Sequence, residues 1–317
     1  MTITHLVTHS GGFHADELLS SVILTRLFPE ATVVRTRDAA WITPGEGKII
    51  YDVGRNYDGA QMIFDHHQRP VPLRPLDADA EEGAEAYPYS SFGLIWKHFG
   101  RDYLRALEVP EVFLDEVWES FDRGFVLPID LMDNGTMNVS QTGPMLASLT
   151  LPALIDLLKP VFDDTTDDAD DQAFQAALPV AKAFVEGSIK KKCAKRRADA
   201  LVRDAIAAAG DGSVLELPQG MPFRSAVEAT GADHLLYVIH PRGADWALNC
   251  IRKGGDTFEN RADLPEAWAG LTDAALEEAS GVAGAKFCHN GRFIAVANSR
   301  EAIVALADLA VAEAKTR

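Results

Sequence analysis

Phe64-Asp65-His66-His67-Gln68 is the stretch from which the chain is read. It completes an apolar run, Gln61-Met62-Ile63-Phe64, that reads as a buried strand. An acid and two imidazoles therefore fall at the C-terminal end of that strand, the edge where open α/β sheets bind ligands. Neighbouring residues of an extended chain point to opposite faces. One imidazole can thus face a site while the other serves a second partner or the substrate. A histidine-rich turn without a duty would account for the pair alone. It would not account for the similar clusters at the ends of other expected strands.

Toward the N-terminus, His5-Leu6-Val7-Thr8 is a short strand followed by His9-Ser10-Gly11-Gly12-Phe13-His14-Ala15-Asp16-Glu17. The two glycines allow a tight turn. Leu18, Leu19, Val22, Ile23, Leu27 and Phe28 then follow at helical spacing. His9, His14 and Asp16 fall where side chains converge, and two imidazoles with a carboxylate suit a borderline divalent metal such as Mn²⁺ or Zn²⁺. Asp16 and Glu17 could instead serve only the positive end of the helix dipole, which leaves both histidines unexplained. Ala31 to Arg37 alternates as a strand with Arg35 and Arg37 on one face, suited to phosphate or to surface ion pairs. Lys48-Ile49-Ile50-Tyr51 is another strand. It delivers Asp52 as its neighbour delivers Asp65.

Toward the C-terminus, residues 70–88 read as a long surface loop rich in Pro, Ala and acid. Ser90 caps an amphipathic helix through Leu94, Ile95 and Phe99, stopped by Gly100, with His98 assigned to packing or surface. Helical patterns continue from Tyr103 to Phe121. Asp130 and Asp133, at i and i+3 before Asn134-Gly135, would share a helix face, one to bind metal and the other to orient a ligand. Thr150 to Lys159 reads as helical, and Asp163 to Asp171 as a solvated acidic loop or helix start. Phe174 to Ala209 reads as one long helix. Its basic run, Lys190 to Arg197, is either a solvated face or a source of phosphate contacts. Gly210-Asp211-Gly212 breaks the pattern and sets the expected boundary between residues 1–208, a metal-binding catalytic domain with its connecting helix, and residues 209–317. Beyond it, strands are expected at Val214 to Leu217, Leu235 to Ile239 and Trp246 to Ile251. A helix is expected at Leu271 to Ser280, then a His289-Asn290-Gly291-Arg292 turn between apolar runs, and a final helix from Arg300.

With 317 residues, 47% hydrophobic and 24% charged, the chain has the balance of a soluble globular protein of two domains. A formal charge of -17 argues against broad non-specific binding to nucleic acid, leaves a local basic groove open, and suits divalent cations. Cys193, Cys250 and Cys288 form no CxxC pair, so reduced thiols and a cytoplasmic setting are expected. No signal sequence or membrane-length apolar run is present.

His9, His14, Asp16, Asp52, Asp65, His66, His67 and Asp133 exceed what one ion needs. Two ions sharing a bridging carboxylate is the economical reading. Such a pair activates water for in-line displacement at phosphorus without a side-chain nucleophile.

These motifs also carry a resemblance. The His9 to Glu17 segment, Tyr51-Asp52-Val53-Gly54, the Asp65-His66-His67 trio, Ser90 to Gly100 and Asp130 to Gly135 resemble the melanocyte proliferating gene exonuclease family of the DHH phosphoesterase superfamily. Pro265 to Leu271 and Ser280 to Phe293 match it too, so the likeness spans nearly the full length. It implies a two-domain α/β protein: an N-terminal DHH-type parallel sheet with flanking helices, a long connecting helix and a smaller C-terminal α/β domain. It also implies two Mn²⁺-type ions, with Mg²⁺ or Co²⁺ as alternatives, and 3′-5′ exonuclease action on RNA. Carried over by position, His9, His14, Asp16, Asp52, His66 and Asp133 would be metal ligands, with Asp52 bridging. His67, supported by Asp65, would meet the substrate phosphate. His289, Gly291 and Arg292 would hold substrate from the C-terminal domain, and Arg69 is a further candidate contact. The superfamily usually has an acid at His14, one residue closer to the first histidine, so the chain departs from the pattern there. Competing readings are a phosphatase or phosphodiesterase for pyrophosphate, cyclic dinucleotides or short oligonucleotides, and a metal-stabilised binding protein without turnover. A homodimer is left open.

Overall fold

The computed structural model describes residues 2–76, 84–141, 145–254 and 257–316. The chain divides into two compact units, Met1–Cys193 and Ala194–Arg317.

The first unit opens with β1 (His5–Thr8), α1 (Ala15–Leu27), β2 (Thr32–Arg35), a single turn α2 (Ala39–Ile42) and β3 (Lys48–Tyr51). The short strands β4 (Tyr57–Asp58) and β5 (Ile63–Phe64) complete a sheet of order β2-β1-β3-β5-β4. All neighbours are parallel except β4, which runs antiparallel to β5. β1 sends its chain outward to β2 on one side, and β3 lies on the other. The sheet's switch point is therefore the crevice between the ends of β1 and β3, where doubly wound folds place ligands. The strand expected at Gln61–Phe64 is shorter than its apolar run suggested. Gly59–Gln61 form a 3₁₀ turn and Met62 takes a left-handed conformation at φ 56°, so only two residues remain extended.

Helices α3 (Ser91–Ala106), α4 (Glu111–Phe121) and α5 (Leu127–Asp133) follow, with a π-helical turn at Asp122–Val126 between the last two. Gly100 does not stop α3. A Cβ there would lie 2.7 Å from the Trp96 ring and 2.8 Å from the Trp118 indole nitrogen, so this glycine admits two stacked tryptophans. The helical pattern read across Tyr103 to Phe121 is thus two helices. The expected surface loop at 70–88 is described only outside 77–83; its flanks pair through a Leu73–Pro88 bridge. A short α6 (Leu151–Asp156) precedes α7 (Ala169–Ala209), which contains Pro179 and starts earlier than expected, within the acidic run. Phe174, Ala177, Ala181, Val185, Ile189 and Cys193 recur at helical spacing on α7 and are buried in the first unit's core. The expected break at Gly210–Gly212 is where α7 ends, whereas the division into units falls inside the helix.

In the second unit β6 (Val214–Glu216), α8 (Arg224–Ala229), β7 (Tyr237–Arg242), β8 (Asp245–Cys250), α9 (Asp273–Ser280), β9 (Ala285–Cys288), β10 (Ile294–Ala297) and α10 (Arg300–Ala314) follow in order. They build a sheet of order β6-β7-β8-β10-β9, in which only β6 and β7 are parallel. The chain is thus mixed α/β with two sheets and a long helix. The three cysteines are free and buried, and no described helix is long and apolar enough to cross a membrane.

Candidate metal centre

Each strand end at the switch point delivers a ligand-type side chain. His9 follows β1, Asp52 follows β3, and Asp65 and His66 follow β5, while His14, Asp16 and Glu17 stand at the start of α1 and Asp133 at the end of α5. Asp52 sits in the left-handed region at φ 53°, a conformation that aspartate tolerates better than most residues.

The convergence is tight. His9 Nε2 lies 3.0 Å from Glu17 Oε1 and 3.3 Å from Asp52 Oδ2. His66 Nε2 faces three carboxylates: Asp133 at 3.3 Å, Asp52 at 3.5 Å and Asp16 at 3.8 Å. Ligand-type atoms of His9, His14 and Glu17 lie within 4.8 Å of one another, as do those of Asp16, His66 and Asp133. Asp52 joins Asp16 and Glu17 in a third such group and Asp65, His66 and His67 in a fourth. It therefore stands between the two outer groups. Ser91 donates to Asp52 Oδ1 at 3.2 Å, and the Asn134 side chain lies 3.4 Å from His66 Nδ1, which sets the outward edge of each.

His67 is set apart. Its ring stacks obliquely on His66 at 4.2 Å, and its side chain is half exposed. Its Nδ1 lies 2.8 Å from Asp65 Oδ1, and Asp65 also accepts backbone N–H groups from Arg55 at 2.6 Å and His67 at 3.1 Å. Adjacent imidazoles thus divide into one buried in the cluster and one reaching outward.

The electrostatics fit a cation. Burial pushes Asp16 well above the usual carboxylate range, and the charges of Asp133, Asp52 and Glu17 push it further. Its Oδ2 is buried without a hydrogen-bond partner. Burial likewise drives Asp133 up to about 6 against the pull of His66, with Asp52 and Glu17 adding to the rise. Burial alone would lower His9, but hydrogen bonds to Asp52 and Glu17 override it and raise it to about 10. Asp52, also buried, is held below its ordinary value by His66 and His9. Crowded acids, one orphaned oxygen and imidazoles aimed at several carboxylates form a donor set suited to Mn²⁺ or a similar divalent ion.

Two expectations need correction. Asp130 and Asp133 do not work on one face. Asp130 is fully buried and accepts from Arg74 Nη2 at 2.6 Å and Nε at 3.0 Å, from Ser90 Oγ at 2.7 Å and from Gly93 N at 3.1 Å. Arg74 also bonds Asp122 at 2.6 Å, so Asp130 ties the 70s segment to α3 and the helices after it. Glu17, read only as a helix-start acid, belongs to the centre. It caps α1 by accepting the His14 N–H at 2.8 and 2.9 Å while facing His9.

The other candidates lie elsewhere. Arg35 is committed to Asp171 at 2.5 Å and to the Gly11 carbonyl. His98 packs on Phe64 and bonds the Tyr57 hydroxyl at 2.8 Å, as a packing residue should. In the basic run Lys192 bonds Ser120. Arg69 is exposed and reaches only the Gln68 carbonyl, at 3.3 Å. In the second unit, His289, Gly291 and Arg292 form the turn between β9 and β10. Gly291 N donates to His289 Nδ1 at 2.9 Å, and Arg292 pairs with Asp263 at 3.1 Å.

A parallel sheet whose switch point gathers acids and imidazoles around an orphaned carboxylate defines a metal-dependent hydrolase. The MYG1_exonuc model, described as an uncharacterised protein family (UPF0160), matches residues 5–311, and the chain belongs to this family. The MYG1 protein of Schizosaccharomyces pombe is 32% identical over 92% of this chain and 92% of its own. The MYG1 exonucleases of Mus musculus and Homo sapiens are 30% and 29% identical over 96% of this chain, covering 84% and 85% of their own. Among solved structures, exonuclease RecJ bound to manganese aligns over 98% of this chain and 90% of its own, at 14% identity and a TM-score of 0.25. By its family the chain is an enzyme of the exonuclease type.

Proposed function

We propose that the protein is a divalent-metal-dependent phosphodiesterase that removes nucleotides from RNA in the 3′-5′ direction, with Mn²⁺ its ordinary metal. The observation that carries the reading is an apolar cavity of about 340 Å³ that borders the metal centre at His14 and Asp133. Phe13, Ile129, Met132, Pro152 and Ala153 supply its apolar lining. A cavity of this size and character suits a nucleobase beside the scissile phosphate, and pyrophosphate would leave it without a use.

Two ions would be held by His9, His14 and Glu17 on one side and by Asp16, His66 and Asp133 on the other, with Asp52 between. When bound, such a pair lowers the pKa of water and neutralises charge on phosphoryl oxygens. The protein's own groups do the rest. Asp65 hydrogen-bonds His67 and raises its pKa, which favours the charged ring that would pair with a phosphate oxygen. The buried ring of His66 and the capped start of α1 keep the ligand frame rigid. The second unit would bind the substrate away from the scissile bond through His289, Gly291 and Arg292, with Arg69 contributing from the first. The three buried thiols suit the cytoplasm.

The test uses protein stripped with chelator and reloaded with Mn²⁺, acting on RNA labelled at its 5′ end. A ladder shortening from the 3′ end supports the proposal. Release of the label as the first product would reverse the direction, and hydrolysis confined to dinucleotides or pyrophosphate would favour a small-phosphoester enzyme.

A further inference from the structure

A second cavity, of about 320 Å³, opens on the His67 side of the metal centre. His9, His14, Asp52 and His67 line it together with Arg37 and Arg55. His14 also lines the apolar cavity, so the two cavities flank the centre.

Among the described residues these two arginines have no carboxylate partner, unlike several others of this chain. Its formal charge is -17, and Arg35, Arg74, Arg261, Arg292 and Arg300 each pair with a carboxylate. Among the described residues the Arg37 and Arg55 guanidiniums make neither an ion pair nor a hydrogen bond, and both residues are exposed. The Arg55 backbone is nevertheless well fixed. It takes φ 55°, and its N–H donates to the same Asp65 that orients His67. Arg37 follows β2 at the sheet's ligand-binding edge, directly before Asp38, whose side chain caps α2.

We propose that Arg37 and Arg55 bind a second, non-scissile phosphate group of the substrate, across the metal centre from the apolar cavity. Two forked donors without protein partners, facing one cavity beside a phosphoester-cleaving centre, suit a phosphate dianion. The inference rests on the phosphodiesterase reading and extends it. The preferred substrate carries a phosphate one linkage from the cleaved bond, as in a terminally phosphorylated dinucleotide or the end of a longer RNA.

The test measures binding, so it does not depend on turnover. Dinucleotides joined by an uncleavable methylphosphonate are titrated calorimetrically into the Mn²⁺-loaded full chain, with no terminal phosphate, a 5′ phosphate or a 3′ phosphate. The readout is the ratio of Kd values without and with the terminal phosphate. In the parent one phosphorylated form should bind at least about tenfold tighter, the scale of one charged hydrogen bond. Arg37→Ala and Arg55→Ala should each lower that ratio several-fold, the double variant should bring it near one, and Arg37→Lys with Arg55→Lys should restore part of it. Both sites are exposed, and circular dichroism checks that the variants fold. A ratio near one in the parent, or one that survives in the double variant, overturns the proposal. Hydrolysis of RNA by a parent with a ratio near one would sink only this subsite. A ratio that depends on the arginines in a protein cleaving no phosphodiester would sink only the proposed function.

Discussion

Replacing Asp130 and Asp133 by alanine, separately, should produce opposite phenotypes. Asp130 is fully buried, and its partner Arg74 has a side chain only 10% exposed. Removing one member of a buried ion pair costs about 3–5 kcal/mol, because the partner charge stays behind unpaired. Asp122 keeps a hold on Arg74 at 2.6 Å, which argues for the lower end. The Ser90 hydroxyl and the Gly93 N–H lose their acceptor as well, so about 3 kcal/mol is a fair figure. For a folding unit of this size that lowers Tm by about 6–12 °C. Among the described residues Asp130 belongs to none of the clusters that could hold an ion, so Mn²⁺ affinity per folded molecule should change little. Asp133→Ala should instead leave the metal-free Tm unchanged or raised: burial pushes both acids up to about 6, but Asp133 also faces the charges of Asp52 and Glu17, whereas Asp130 is tied to Arg74. Its Mn²⁺ affinity should fall by more than about a hundredfold, beyond what outer partners of a ligand contribute. Thermal unfolding with and without Mn²⁺, paired with calorimetric titration, reads both. A stable Asp130→Ala variant that no longer binds Mn²⁺ would refute the division of roles.

Mn²⁺ itself should raise Tm, and at a hundred times Kd the stabilisation is about 2.7 kcal/mol; chelator should reverse it and abolish hydrolysis. Glu17→Gln should weaken Mn²⁺ binding while retaining a capping acceptor for the His14 N–H, so a loss of helix content instead of metal affinity would show that Glu17 serves only the helix. Burial, helped by the Lys97 charge, lowers the pKa of His98, so the fold prefers the neutral ring. The unfolded chain then binds the extra proton, and this stability is present above pH ~6.5 and lost as pH falls through it. Urea midpoints of the parent should therefore drop more steeply below pH ~6.5 than those of His98→Gln, and parallel curves would contradict the assignment. Arg292→Ala should raise KM for oligonucleotides with Mn²⁺ affinity unchanged, and an unaltered KM would remove the β9–β10 turn from the substrate site.

The frame of the centre was legible because strand ends leave a mark. Apolar runs that stop abruptly at His9, Asp52 and Asp65 identify one edge of one sheet, and side chains delivered there converge whatever the loops do. What escaped notice were residues whose local chemistry is complete without tertiary partners. An acid in the first turn of a helix already has an ordinary use, and Glu17 fulfils it; only its approach to His9 reveals the second use. A glycine after a helical run reads as a terminator, yet Gly100 lies inside α3 because two tryptophans need its missing side chain. The i, i+3 spacing of Asp130 and Asp133 correctly brought them to one helix. It could not show that Arg74, fifty-six residues from Asp130 in sequence, claims the first of them.

The same contrast explains why the centre is built at a cost. Asp130 is a buried acid whose oxygens accept from an arginine, a hydroxyl and a backbone N–H, and such a group holds the fold together. Asp16 is as deeply buried, but one oxygen has no hydrogen-bond partner and the neighbouring acids share its charge. A buried carboxylate in that position destabilises the metal-free protein, since desolvation and repulsion act in the same direction. The surrounding frame nonetheless holds it in place: His66 reaches toward it from β5, and the Glu17 cap fixes the first turn of α1 that carries it. A cation at the cluster relieves both penalties at once, so the strain in the metal-free site becomes affinity for the ion. Of the two buried aspartates, the one that the protein leaves unsatisfied is the one that points to function.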